Sequence, residues 1–149
     1  MASQAMTSAG SKIYVSATAP TTYDLSGFTA LTWTEIGEVT DLGELGREYT
    51  KVEHKPLGDR KTVKRKGSYD DGAIDLEMAL ASSSDAGQTL LKAASISDSS
   101  YSYKIVLQNS DAMYFSAQCM SFKISVGSVD DITSATCTLE LTENIIEST

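Results

Sequence analysis

The chain has 149 residues, 41% hydrophobic and 21% charged, the size and composition of one ordinary globular domain rather than a disordered chain. Its apolar runs are a few residues long, far short of the roughly 20 that a membrane-spanning helix needs. A formal net charge of -8 argues against a nucleic-acid duplex wrapped around the outer surface.

Residues 1–10 lack the basic start and apolar centre of a secretion signal and are expected to form a flexible N-terminal arm, with 11–149 as a single domain. Strands are predicted at Ile13–Ser16, Leu31–Ile36 and Val39–Thr50, which are rich in Thr, Tyr, Val and Ile. Gly37, Gly43 and Gly46 do not have phosphate-loop spacing and are expected to permit bulges or a sharp bend. The segment 51–69 then breaks the pattern. It carries Pro56, Gly58 and Gly67 with dense charge and little apolar content, so it is read as a long mobile loop or an extended hairpin arm.

Beyond it, Asp70-Asp71-Gly72 marks a turn, and Ile74, Leu76, Met78 and Leu80 alternate with Asp75, Glu77 and Ala79 as in a half-buried strand. Ser84–Ala94 is the one predicted helix: Asp85 and Gln88 have capping-box spacing, and Leu90, Leu91 and Ala94 share a face. Four further strands are predicted: Tyr101–Gln108, Met113–Gln118, an alternating run Met120–Val126, and one centred on Cys137, Leu139 and Leu141. Asn109-Ser110-Asp111 supplies a hairpin turn. The sum is a mainly β fold, an antiparallel β-sandwich or partly closed barrel with one short α-helix and a long charged loop.

Charge is unevenly distributed. Lys51, Lys55, Arg60, Lys61, Lys64, Arg65 and Lys66 stand against Glu53 and Asp59, a local charge of +5 that leaves -13 on the rest of the chain. A basic protrusion on an acidic body is complementary to a second copy of the same molecule. The run Arg60–Lys66 also has the look of a nucleic-acid tract, but no aromatic lies among its cations to stack on bases. A solvated loop is the third reading.

Residues suited to catalysis are scattered. His54, the single histidine, sits between Glu53 and Lys55 and reads as an exposed loop residue rather than a general base. Asp70-Asp71 and Asp130-Asp131 lack EF-hand spacing and read as turns. Cys119 and Cys137 have no CxxC spacing and no neighbouring histidine, and read as small buried hydrophobes made in a reducing compartment. No enzyme activity, cofactor or metal is expected. Asp75, Glu77 and Glu140 lie on polar strand faces, either an ordinary wet surface or, in a ring of copies, the lining of a shared channel.

Taken in order, Ile36-Gly37-Glu38-Val39-Thr40, Glu48–Glu53, the loop ending at Gly67, Asp71–Leu76, the helical Asp85–Lys92 and the paired terminal strands resemble the major tail tube proteins of bacteriophages with long non-contractile tails. The resemblance covers nearly the whole chain. It implies hexameric rings whose sheets join into an inner β-barrel, stacked rings, and a loop equivalent to 51–67 that reaches the neighbouring ring. It also implies a virion location after synthesis in the bacterial cytoplasm, a tape-measure protein and tail-end proteins as partners, and DNA passing through without specific binding. Glu44 and Glu48 join Asp75, Glu77 and Glu140 as candidate channel-lining residues, although Gly43–Glu48 departs from the family's simpler apolar alternation. The rival readings are the tube component of a contact-dependent secretion system and a monomeric ligand-binding β-sandwich.

Overall fold

A computed structural model describes residues 5–81 and 84–148. The elements are β1 (Lys12–Ser16), α1 (Leu25–Thr29), β2 (Thr34–Ile36), β3 (Val39–Asp41), β4 (Glu48–His54), β5 (Val63–Asp70), β6 (Ala73–Ala79), α2 (Ala86–Ile96), β7 (Tyr101–Val106), β8 (Ala112–Ser125), β9 (Ser134–Leu141) and β10 (Ile146–Ser148). Eight strands form one antiparallel sheet in the order β2-β1-β7-β8-β9-β6-β3, with β10 beside the start of β8. The other two, β4 and β5, pair only with each other as a separate hairpin. The mainly β, antiparallel expectation holds, with the sheet left open between β2 and β3. Of the expected N-terminal arm, residues 1–4 lie outside the described residues, and residues 5–10 are exposed without strand or helix.

Hydrophobic burial builds the core from alternate residues of the main sheet's strands. Ile13 and Val15 of β1, Ile74, Leu76 and Met78 of β6, Tyr103 and Ile105 of β7, Phe115 and Ala117 of β8 and Cys137 and Leu139 of β9 are buried together. Leu91 and Ala94 of α2 pack on the same cluster, as the helical spacing predicts. Leu42 and Leu45, in the segment after β3, also pack on it.

Several expectations need correction. A second helix, α1, is too short for any periodicity to announce it. Asp24 caps it by accepting a hydrogen bond from Gly27 N at 2.8 Å, and Gly27 is required because a Cβ there would sit 1.9 Å from the Thr22 carbonyl oxygen. Phe28 of α1 is buried, stacked at 5.5 Å on Tyr114 and edge-on to Tyr23 at 5.0 Å, forming a second small core on the opposite face of β8. The expected strand Val39–Thr50 is two strands, β3 and β4, separated by an irregular stretch in which Gly43 has φ +76°. Leu31–Ile36 is strand only from Thr34, and β10 is an additional strand.

Met113–Gln118 and Met120–Val126 are one strand, interrupted in register between Cys119 and Ser121 by a β-bulge. Before the bulge the odd residues Met113, Phe115, Ala117 and Cys119 face the core; after it Phe122 and Ile124 pair with Cys137 and Ala135 and take over that face. Met120, the extra residue of the bulge, is 60% exposed, and past Phe122 the chain runs beyond the core, so Ile124 and Val126 are 46% and 66% exposed, not buried as their alternation suggests.

The corner between β2 and β3 is held by the start of α2. Asp85 accepts from Gln88 N and from Gly37 N, both at 3.0 Å. The Gln88 side chain does not complete a capping box; fully buried, it accepts from Ala81 N at 2.8 Å and donates to the carbonyls of Gly37 at 3.0 Å and Ala79 at 2.9 Å. A Cβ on Gly87 would lie 2.3 Å from the Glu35 carbonyl oxygen, so glycine is what lets the helix sit against β2.

Candidate self-assembly surfaces

The charged segment 51–69 is a hairpin arm, with strands over Glu48–His54 and Val63–Asp70 and a connection at 55–62. Every residue of β4 is exposed, and β5 is exposed except for partial burial of Val63 and Gly67. The arm therefore stands away from the body and presents both faces. Its register puts Lys51 opposite Lys66, a like-charge pair that costs stability, relieved by a 3.1 Å ion pair from Lys51 to Glu53. Val52 faces Arg65 and Glu53 faces Lys64. Lys55, Arg60 and Lys61 lie on the connecting loop, together with Leu57, which is wholly exposed. All seven predicted loop cations are thus on one protrusion, and His54, expected in a loop, is the exposed last residue of β4.

The base of the arm is anchored by residues that the sequence did not single out. Arg47 lies 4.0 Å over the ring of Tyr69 and 3.6 Å from the Asp71 carboxylate, and donates to Asn144 Oδ1 at 3.3 Å. Tyr49 and Tyr69 face each other across the hairpin at 5.4 Å, and Lys66 lies 4.5 Å from the Tyr49 ring. Gly67 keeps the two strands close, since a Cβ there would be 2.8 Å from Val52 Cγ2. The aromatic pair was visible in the sequence, but its partner Asn144 is distant in the chain.

The polar face of β6, β9 and β8 collects three of the five candidate lining residues. Register places Ala73 beside Glu140 and Gln118, Asp75 beside Thr138 and Ser121, and Glu77 beside Thr136 and Lys123. Thr138 donates to Asp75 at 2.9 Å. Lys123 is the cation of this otherwise acidic face. Glu44 and Glu48 are elsewhere: Glu44 lies in the irregular stretch before the arm, and Glu48 opposes Asp70 at the arm's base. Asp70 and Asp131 serve turns, Asp70 accepting from Gly72 N at 2.9 Å and Asp131 from Ser128 N at 3.0 Å.

Strand edges are the third feature. Among the described residues, the terminal strands β2 and β3 pair on one side, and β7 covers β8 only as far as Ala117, leaving Gln118–Ser125 without a partner strand on that side. Open backbone donors and acceptors of this kind are templates for pairing with another chain.

No protein-family model matches the chain, and no curated protein does. Solved structures do. A chain of the phage SPP1 tail tube superposes with a TM-score of 0.69 at 14% identity, over 93% of this chain and 76% of that one. The chain has a tail-tube fold. The tail-tube fold is shared with a chain of the anti-feeding prophage baseplate, 6-fold symmetrised, at TM-score 0.74 and 11% identity over 99% and 97% of the two chains. It is also shared with a chain from the sheath/tube terminator of the extracellular contractile injection system PVC, at 0.71 and 12% over the whole of both.

Proposed function

We propose that the chain is a non-enzymatic structural subunit that assembles with copies of itself into stacked hexameric rings around a hollow channel. The observation that carries this reading is the arm: a hairpin exposed on both faces, whose residues 51–66 carry +5 against -13 on all the others, projecting from a body that has the tail-tube fold and open strand edges. The cations at Lys51, Lys55, Arg60, Lys61, Lys64, Arg65 and Lys66 contact acidic surface on the adjacent ring. Edge strands join neighbouring subunits within a ring. The face carrying Asp75, Glu77 and Glu140 lines the channel, where carboxylates repel phosphate and let a duplex slide; Glu44 and Glu48 are set apart from that face. The tube belongs to a phage tail, is made in the host cytoplasm, surrounds a tape-measure protein during assembly and later conducts DNA.

A second reading, the tube of a contractile injection system, is supported by the same fold in chains of the anti-feeding prophage baseplate and the PVC sheath/tube terminator. Concentrating the purified protein and imaging it by negative stain tests assembly. Hollow rings or tubes that shorten when Lys64, Arg65 and Lys66 are changed to Gln support the reading, and a monomer at every concentration overturns it. Co-purified DNA or tape-measure protein separates the phage tail from the injection tube.

A further inference from the structure

The chain's two cysteines meet inside the core. Cys119 immediately precedes the bulge of β8, paired with Leu139, while Cys137 lies two residues away on β9 and is paired with Phe122. Without the extra residue at Met120, Phe122 would oppose Thr136 instead, and the core face of β8 would end at Cys119. The bulge draws the two thiols together diagonally across the strand pair, with sulfurs 2.9 Å apart and both side chains buried. A disulfide bond is about 2.05 Å long, so closure asks for an approach of less than about 1 Å.

The surroundings leave this pair chemically distinct. Cys119 also lies 3.5 Å from the Ser121 carbonyl. The hydroxyl of Tyr103, buried without a hydrogen-bond partner among the described residues, is close enough to feel the charge of either sulfur. A hydrogen bond from the Cys137 thiol holds the Cys119 thiol below its ordinary value, while donating that bond pushes Cys137 up. In the reaction proposed below, Cys119 takes the attacking role and Cys137 the resolving one.

We propose that Cys119 and Cys137 are a latent cross-strand disulfide, closed by a small peroxide oxidant, that staples β8 to β9 at the bulge. The Cys119 thiolate attacks one oxygen of hydrogen peroxide; the O–O bond breaks, and the leaving hydroxide takes up the thiol proton as water. The sulfenic acid on Cys119 is then attacked by the Cys137 sulfur, the S–O bond breaks, and hydroxide leaves with the Cys137 proton as a second water. Two thiols lose two electrons and one peroxide gains them. A compact, uncharged oxidant suits a site that buries both sulfurs. The chain folds with free thiols in a reducing compartment and closes the bond outside it. This inference stands on the thiol geometry and does not depend on the tube reading.

The test uses the full chain, purified in reductant, desalted and exposed to hydrogen peroxide before denaturation, alkylation and mass analysis. Both thiols are expected to disappear together with a mass loss of about 2 Da, and peptide mapping links Cys119 to Cys137. The thermal midpoint rises by roughly 5–10 °C and falls back with dithiothreitol. In Cys137→Ala the reaction stops at a sulfenic acid on Cys119 that dimedone traps. Should that variant fail to fold, Cys119→Ser serves instead, its Cys137 staying unmodified. Oxygen adducts on one cysteine of the parent chain beside a free second thiol, cross-linking between chains, or linked peptides with an unchanged midpoint each overturn the proposal.

Discussion

Gln88→Leu tests how the corner that displays two edge strands is held. Leucine fits the volume and keeps helix propensity, but offers none of the three hydrogen bonds that the buried amide makes to Ala81 N and to the carbonyls of Gly37 and Ala79. Each orphaned buried group costs about 1–3 kcal/mol, and carbonyls tolerate loss better than an N–H, so the sum is about 3–5 kcal/mol. With a urea slope of about 2 kcal/mol/M, the unfolding midpoint falls by roughly 2 M. Equilibrium unfolding followed by circular dichroism gives the midpoint, and unchanged slopes show that the native state stays compact. A variant within about 1 kcal/mol of the parent would refute the reasoning, because the amide would then be spectator rather than clamp.

Three further outcomes follow from other parts of the molecule. Changing Lys64, Arg65 and Lys66 to Gln leaves the fold and its thermal midpoint intact but weakens ring stacking, with the largest difference from the parent at low ionic strength; tube length by microscopy across a salt series measures it. Arg47→Ala removes the cation over Tyr69 and the link to Asn144, so amide exchange speeds up in β4 and β5 while β6 and β9 stay protected. Burial pushes the Tyr23 hydroxyl up to about 12, above its unfolded value of about 10. A raised acid favours the folded state while neutral, so its contribution is complete below about pH 10 and is lost between about pH 10 and 12. Denaturation across that window shows a smaller loss in Tyr23→Phe than in the parent.

What the sequence revealed and what it hid divide along physical lines. The alternation Ile74, Leu76, Met78 was legible because that strand is sandwiched between β3 and β9 with one face buried along its length. The same alternation misled at Met120–Val126, where the strand continues past the core and burial stops. The parity switch from Phe115, Ala117 and Cys119 to Phe122 and Ile124 is the trace that the bulge leaves in the sequence, and it was there to be read. Five residues are too few to show a helical period, so α1 was signalled only by Asp24 and a glycine three positions later. Gln88 looks like any polar helical residue; its burial depends on a corner built by residues about fifty positions away.

The seven cations of the arm were found by charge counting alone, since clustering in sequence becomes clustering in space when the strands of one hairpin carry it. Glu44 and Glu48 could not be sorted from Asp75, Glu77 and Glu140 in the same way. Their facing depends on where the sheet ends and the arm begins, and the division of Val39–Thr50 into two strands moved them off the acidic sheet face.

Electron microscopy of the concentrated, purified chain tests self-assembly most directly. Hollow tubes of stacked rings, with the basic arm of one ring seated on acidic surface of the next, are the predicted image. Isolated particles of single-subunit size at every protein and salt concentration would contradict it.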